Sequence, residues 1–164
     1  MANYSFDIES TYDKAEMNNV EQLVMREISS RYDFKGTPAA VEWLTDKKGF
    51  KVIGSNEWQL ETIIDMIGKQ LAKRSMTSKV LDLSGKVTEA NLRAWKDVLF
   101  RDGLSQDDAK KITKLLKDSH PKVRTQIQGP AVRCTSASKD ELQAVMSTLR
   151  AADFDFPLVF TNYR

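Results

Sequence analysis

The stretch Lys122–Thr135 decides the fold that we predict for this chain; it reads Lys-Val-Arg-Thr-Gln-Ile-Gln-Gly-Pro-Ala-Val-Arg-Cys-Thr. Apolar and polar side chains alternate on both sides of the Gly-Pro pair, a pattern typical of two strands joined by a tight turn. Gly129 can adopt a positive φ at such a turn at little cost. Residues 122–128 and 131–135 are therefore predicted to form a β-hairpin.

Helices and strands are predicted on both sides of this hairpin. Ser105 is an N-cap candidate for a helix before it, with Asp107 and Asp108 at the positive end of the helix dipole. Ser138 is an N-cap candidate for a helix after it. Further strands are predicted at residues 95–100 and 157–160. The second half thus has the order strand, helix, strand, strand, helix, strand.

The first half repeats this order. The pattern predicts a strand at residues 5–10, a helix from Asp13 to about Arg31, a hairpin at 41–53, a helix capped by Ser55 or Asn56, and a strand at 79–83. Three apolar positions of the second helix match between the halves at a constant offset: Leu60, Ile63 and Ile67 correspond to Leu142, Val145 and Leu149. Two βαββαβ repeats predict an α+β fold, with two ferredoxin-like α/β sandwich domains in tandem. Each sheet would leave one face open.

The composition excludes several classes of function. Of the 164 residues, 41% are hydrophobic and 29% charged, so a folded globular protein is expected. One cysteine, Cys134, and one histidine, His120, cannot supply a disulfide or a structural zinc site. His120 lies in a predicted helix-to-strand turn, which disfavours a catalytic role. No P-loop or Gly-x-Gly-x-x-Gly motif occurs, so nucleotide hydrolysis and Rossmann redox chemistry are unsupported. With these classes set aside, we expect no enzyme, metal or cofactor.

Localisation follows from what the sequence lacks. No signal peptide is visible, and no apolar run approaches the ~18–20 residues that a membrane span needs. A single reduced cysteine also suits a reducing compartment. We therefore expect a cytoplasmic protein without membrane contact.

Positive charge is concentrated in the second half of the sequence. The whole chain has 25 Lys and Arg against 23 Asp and Glu, a net charge of +2. Residues 1–90 hold 12 basic and 14 acidic side chains, whereas residues 91–164 hold 13 basic and 9 acidic ones. The second half is therefore the expected place for an anionic partner.

One face of the predicted 122–135 hairpin is polar and basic. Strand side chains alternate, so Val123 and Ile127 should face the helices. The opposite face would then hold Lys122, Arg124, Gln126, Gln128, Arg133 and Thr135. Arginines and glutamine amides there can bind the phosphates and base edges of a nucleotide or an RNA. The alternative is a solvated sheet face, because no aromatic side chain is available for base stacking.

The helix before the hairpin has a stripe of lysines. Lys110, Lys114 and Lys117 recur at helical spacing along one flank, where like charges repel slightly. A phosphate backbone would relieve that repulsion. An ordinary exposed helix face is the alternative.

Residues 30–36 combine aromatic and basic side chains at a predicted helix end. Arg31 and Lys35 could flank a phosphate while Tyr32 or Phe34 stacks on a base. Alternatively, the segment ends the helix with Phe34 folded inward and Arg31 at the negative end of the dipole. Residues 47–52 resemble the start of an RNP1 strand, but no second aromatic follows, which favours a basic hairpin tip.

Several segments together resemble the YajQ family of small bacterial nucleotide-binding proteins. They include Ser-Phe-Asp-Ile at residues 5–8, Ser-Arg-Tyr-Asp-Phe-Lys-Gly at 30–36 and Phe-Thr-Asn-Tyr-Arg at 160–164, with residues 117–119, 122–129 and 140–146. The resemblance covers essentially the whole chain and implies non-enzymatic binding of nucleotides or RNA in the bacterial cytoplasm. It also implies exchanged final strands, so that residues 1–77 with the strand 156–164 form the first domain and residues 78–155 the second.

The leading hypothesis is a non-catalytic binder of nucleotides or RNA, with tRNA or a cyclic dinucleotide among the candidate ligands. The alternative is an adaptor or regulator that docks a partner protein on an open sheet face. An acylphosphatase-like hydrolase is disfavoured, because the loop after residues 5–10 has no Arg to cradle phosphate. No DNA-specific motif occurs. The predicted site residues are Arg31, Phe34, Lys35, Lys110, Lys114, Lys117, Lys122, Arg124, Gln126 and Arg133.

Overall fold

A computed structural model describes residues 3–164 and places them in two compact units. Unit 1 comprises the described residues up to Thr11 together with Asp102–Arg164, and unit 2 is Tyr12–Arg101. Within the described residues, each unit contains two α-helices and one antiparallel sheet. The predicted α+β fold with two tandem α/β units is confirmed.

The elements follow one another in nearly the predicted order. They are β1 (Tyr4–Glu9), α1 (Lys14–Ser30), β2 (Ala40–Trp43), β3 (Gly49–Gly54), α2 (Glu57–Lys73), β4 (Leu81–Asp82), β5 (Thr88–Ala90), β6 (Arg93–Phe100), α3 (Gln106–Ser119), β7 (Arg124–Gln128), β8 (Ala131–Ser136), α4 (Lys139–Ala151) and β9 (Val159–Thr161). Short 3-10 turns occupy Tyr32–Phe34 and Ser78–Val80. Across residues 3–164, no helix combines the length and apolarity needed to cross a membrane.

Unit 2 forms its core between its two helices and a sheet with the strand order β2-β3-β6-β4, in which β5 also pairs with β6. The Asp13 side chain caps α1 by accepting a hydrogen bond from the backbone N–H of Glu16. Asn56, not Ser55, caps α2. The apolar stripes of both helices pack on the buried sheet side chains, which include Phe50, Val52 and Val98.

Unit 1 has a sheet with the order β7-β8-β1-β9. Phe6 and Ile8 of β1 lie opposite Cys134 and Val132 of β8, and all four are fully buried. Apolar side chains of α3 and α4 cover this face and complete the core. The predicted N-caps Ser105 and Ser138 accept hydrogen bonds from the backbone N–H groups of Asp108 and Glu141.

The exchanged strands are not the predicted ones. β9 pairs with β1 in the sheet of β7 and β8, and β4 pairs with β6 in the sheet of β2 and β3. The last strand of each half therefore stays with the helices of its own half, while the first strands, β1 and β6, change places. The predicted domains, 1–77 with 156–164 and 78–155, are wrong for this reason. β1 pairs with β8 over six residues, whereas β4 and β9 are only two and three residues long, too short for their pattern to indicate a sheet.

Candidate functional site

The face of the unit 1 sheet turned away from α3 and α4 is polar, and we call it the polar face. Arg124 lies opposite Thr135, and Gln126 lies opposite Arg133. Arg133 in turn lies opposite Asp7 of β1, which lies opposite Thr161 of β9. The structure thus brings three of the predicted site residues, Arg124, Gln126 and Arg133, onto one face.

Asp7 lies at the centre of the polar face. Its carboxylate accepts hydrogen bonds from Arg133 Nε at 2.9 Å and Asn162 Nδ2 at 2.8 Å. The hydrogen bond from Arg133 holds the pKa of Asp7 below its ordinary value, although burial acts in the opposite direction. Because its guanidinium already pairs with a carboxylate, Arg133 has less charge to offer a ligand.

Asp7 and Asn162 were missed by the sequence reasoning. Both lie in segments that carry the family resemblance, residues 5–8 and 160–164. Their meeting depends on β1 lying between β8 and β9, which are far from it in sequence. The apolar-polar alternation of residues 5–10 predicted the strand but not its neighbours.

Arg124 is a cation of the polar face that no carboxylate opposes. It is exposed and has no ion pair among residues 3–164. The exposed Gln126 accepts a hydrogen bond of 3.4 Å from the Gln128 side chain. The exposed Lys122 lies in the turn before β7, so the strand begins two residues later than predicted. An anion on this face would meet Arg124, with the Gln126 amide on the same strand and face.

The lysine stripe lies on a different surface of unit 1. Lys110, Lys114 and Lys117 are exposed on α3, while Ile112 and Leu116 point into the core, as predicted. Because α3 covers the side of the sheet opposite the polar face, the stripe and the polar face are separate. The stripe adds positive potential to the unit without forming part of the same site.

The remaining predicted residues belong to unit 2. Arg31 pairs with both carboxylate oxygens of Asp33, at 3.0 and 2.8 Å, and its guanidinium lies 5.0 Å from the centre of the Phe34 ring. This pairing holds the pKa of Asp33 below its ordinary value. Phe34 is 4% exposed in the core, so the predicted stacking of Phe34 on a base is wrong. The exposed pair here is Tyr32 with Lys35, whose Nζ lies 5.7 Å from the ring centre.

The predicted charge asymmetry disappears when charges are counted by unit. Unit 1 has ten basic and ten acidic side chains, and unit 2 has fifteen basic and thirteen acidic ones. The exchanged strands contribute to this change, because β1 brings Asp7 and Glu9 into unit 1 and β6, with Arg93, Lys96 and Asp97, brings one net positive charge into unit 2. The net charge of unit 1 therefore does not attract anions. An anion that binds unit 1 in preference to unit 2 must do so because of the positions of the cations in unit 1.

Cys134 is buried, and both ring nitrogens of His120 contact side chains of α4. Burial raises the pKa of the Cys134 thiol to about 12, and the charge of Asp7 acts in the same direction. His120 hydrogen-bonds through Nδ1 with Glu141 at 3.1 Å and through Nε2 with Thr148 at 2.7 Å, which ties the end of α3 to α4. In the part of the chain that the structure describes, no group of three His, Cys, Asp or Glu residues is placed to hold a metal ion.

Comparisons with known proteins agree over almost the full length of the chain. A family model described as "Nucleotide-binding protein YajQ-like" matches residues 4–164. A "Nucleotide-binding protein" of Trichodesmium erythraeum (strain IMS101) is 44% identical, over 98% of this chain and 97% of that protein. Proteins with the same description from Nocardioides sp. (strain ATCC BAA-499 / JS614) and Yersinia pestis (strain Pestoides F) are 39% and 36% identical, over 100% and 98% of both chains.

Proposed function

Because the chain belongs to the family of YajQ-like nucleotide-binding proteins, we propose that it binds nucleotides or RNA, without converting them, through the polar face of unit 1. The observation that carries this proposal is Arg124, an exposed guanidinium with no ion pair among the described residues. A guanidinium in this state offers two parallel donors to a phosphate. The proposal includes a cytoplasmic location and no catalytic step.

The neighbours of Arg124 fit the remaining parts of a nucleotide. The Gln126 amide can donate to and accept from a base edge, and Lys122 can bind a second phosphate of an RNA backbone. Arg133 would orient the ligand less strongly, since Asp7 already binds it. The lysines of α3 would attract an anion from a distance, an effect that salt weakens.

The segment around Tyr32 in unit 2 supports a weaker, second contact. Tyr32 is 86% exposed, and the Lys35 ammonium lies beside its ring. Base stacking on an exposed tyrosine next to a cation is a sequence-tolerant way to bind single-stranded RNA. Arg31 contributes less, because its Nε and Nη2 already donate hydrogen bonds to the Asp33 carboxylate.

The experiment is a titration of the full chain with a fluorescently labelled short RNA and with each nucleoside monophosphate, at about 50 and 200 mM salt. We expect binding at the lower salt, with a log–log salt slope of about −2 for three phosphate contacts on single-stranded RNA. Arg124→Gln should weaken RNA binding about fivefold to tenfold, and Lys51→Gln in unit 2 should not. Flat titrations for every ligand at low salt would refute nucleotide binding and favour docking of a partner protein instead.

A further inference from the structure

The C-terminal tail of unit 1 contains a bulge, which changes the face of the sheet to which its last side chains point. β9 ends at Thr161, and Asn162 has a φ of +56° while its side chain binds Asp7. Pairing with β1 then resumes, because Arg164 and Ser5 exchange backbone hydrogen bonds of 3.0 and 3.3 Å. Asn tolerates this left-handed conformation better than most residues. Bulges of this kind commonly redirect a side chain at the edge of a functional site.

The redirected Tyr163 forms one wall of a cleft on the helix side of the unit 1 sheet. Its ring stacks on Phe6, with centres 6.3 Å apart and planes 22° apart, yet the residue stays 61% exposed. The cleft has a volume of about 330 Å³ and lies between Tyr4, the tail and α4. Leu142 and Met146, both buried, form its floor. We call it the tyrosine cleft.

The polar groups of the tyrosine cleft are one cation and one amide. Lys139 Nζ lies 5.0 Å from the centre of the Tyr4 ring, and Lys139 has no ion pair among the residues that the structure describes. Arg164 also borders the cleft, but its charge helps to lower the pKa of Asp7, so its side chain lies towards the polar face. The exposed Gln143 on α4 adds a donor and an acceptor. Aromatic rings, an unpaired cation and an amide therefore surround an apolar floor.

We propose that the tyrosine cleft binds one nucleoside monophosphate. The base would stack on Tyr163, the phosphate would bind Lys139, and Gln143 would contact the base edge. A volume of about 330 Å³ is near the lower limit of ~300–1,000 Å³ for ligand pockets, which suits one nucleotide rather than a dinucleotide. This site rests on the proposed function for its ligand class, but it lies on the opposite side of the sheet from Arg124.

The test is a titration of the full chain with AMP, with adenosine and inorganic phosphate as separate arms. Tyr163→Ser and Lys139→Gln change exposed side chains and should leave the fold intact. Lys51→Gln in unit 2 is the charge control, and Arg124→Gln reports on the polar face. The readout of location is the NMR signal of a ¹³C-labelled Met146 methyl group on the cleft floor, assigned with Met146→Leu.

We expect AMP to shift the Met146 methyl signal and inorganic phosphate not to. Tyr163→Ser should weaken AMP binding at least about fivefold, the lower limit for the loss of one stacked base. Lys139→Gln should weaken AMP binding but not adenosine binding, and Lys51→Gln should change neither. Unchanged AMP affinity in both cleft variants, or RNA binding without AMP binding, overturns the tyrosine cleft and leaves the proposed function standing. If the wild-type chain binds neither AMP nor RNA, both proposals fall.

Discussion

Cations on the faces turned away from the helices differ, between and within the two sheets, in the side chains that lie opposite them. In unit 2, Lys51 of β3 lies in register between Glu42 of β2 and Asp97 of β6, and its Nζ lies 5.5 Å from the centre of the Trp95 ring. In unit 1, Arg124 of β7 lies opposite Thr135, which lies opposite Ser5. In strand order Lys51 corresponds to Arg133 of β8, which pairs with Asp7, whereas Arg124 on the edge strand β7 lies opposite a hydroxyl and no carboxylate.

This difference indicates that the side chains opposite a cation in the sheet, rather than the net charge of the unit, determine whether the cation can bind an anion. Unit 1 has no net charge and unit 2 has a net charge of +2, yet Arg124 of unit 1 has no carboxylate opposite it while Lys51 of unit 2 has two. Carboxylates directly opposite a cation in a sheet reduce its attraction for a phosphate. The proposed function therefore depends on the neighbours of Arg124, and variants of either sheet can break the comparison.

The largest effect is expected when Asp7 is removed. Asp7→Ala leaves the half-buried Arg133 without its carboxylate and should lower the free energy of unfolding of unit 1 by about 2–3 kcal/mol. Asp33→Ala in unit 2 breaks an exposed pair of the same geometry and should have a much smaller effect.

Separate probes make this measurement specific for each unit. The only cysteine, Cys134, is buried in unit 1, and all three tryptophans, Trp43, Trp58 and Trp95, lie in unit 2. In a urea titration, thiol labelling therefore follows unit 1 and tryptophan fluorescence follows unit 2. Equal shifts of both transitions in Asp7→Ala would contradict the assignment of the Asp7–Arg133 pair to the stability of unit 1.

Acid provides the next test of the polar face. The pKa of Asp7 is lowered in the folded protein, so its ionised form adds stability above the ordinary value of 3.8. That contribution is lost as the pH falls through the lower folded pKa. In urea titrations from pH 7 to about pH 3, the labelling midpoint of Cys134 should fall with acid in the wild type and less so in Asp7→Asn. Parallel acid curves for the two proteins would be inconsistent with a depressed pKa at Asp7.

A substitution in β8 can give Arg124 the kind of neighbour that Lys51 has. Thr135→Glu places a carboxylate opposite Arg124 and should weaken RNA binding about as much as Arg124→Gln does, fivefold to tenfold, because it imitates the surroundings of Lys51. Thr135→Gln, similar in size but neutral, is the control. If the two variants bind RNA equally well, the neighbours of Arg124 do not matter and the comparison between the sheets has no functional meaning.

The smallest effect is expected in unit 2, at the exposed pair Tyr32 and Lys35. Tyr32→Ser should weaken RNA binding by no more than about fivefold, the loss expected for one weakly stacked base. Binding of nucleoside monophosphates should not change. Fluorescence anisotropy with the same labelled RNA measures the effect, and a loss larger than that of Arg124→Gln would move the main site from unit 1 to unit 2.

Local features were predictable from the sequence, and long-range pairing was not. The caps at Asp13, Ser105 and Ser138 depend on residues within three positions, and each was predicted. The hairpin of β7 and β8 was also predicted, because alternation and a Gly-Pro turn are local signals.

Predictions that depended on distant partners went wrong or were missing. β1 pairs with β8, more than a hundred residues away, and nothing in its alternation indicates which sheet it joins. The exchange of β1 and β6, the Asp7–Arg133 pair and the tyrosine cleft all follow from that pairing. The burial of Phe34 was also not predictable, because the sequence around an aromatic residue with basic neighbours is the same whether its ring is exposed or buried.

The most direct test of the central claim is an NMR titration of the ¹⁵N-labelled chain with a short single-stranded RNA at about 50 mM salt. If the polar face of unit 1 is the main site, the largest shifts of backbone amide signals occur at Arg124, Gln126 and Thr135. The amide signals of Glu42, Lys51 and Asp97 in unit 2 do not shift. Shifts confined to the unit 2 sheet, or an unchanged spectrum throughout, would contradict it.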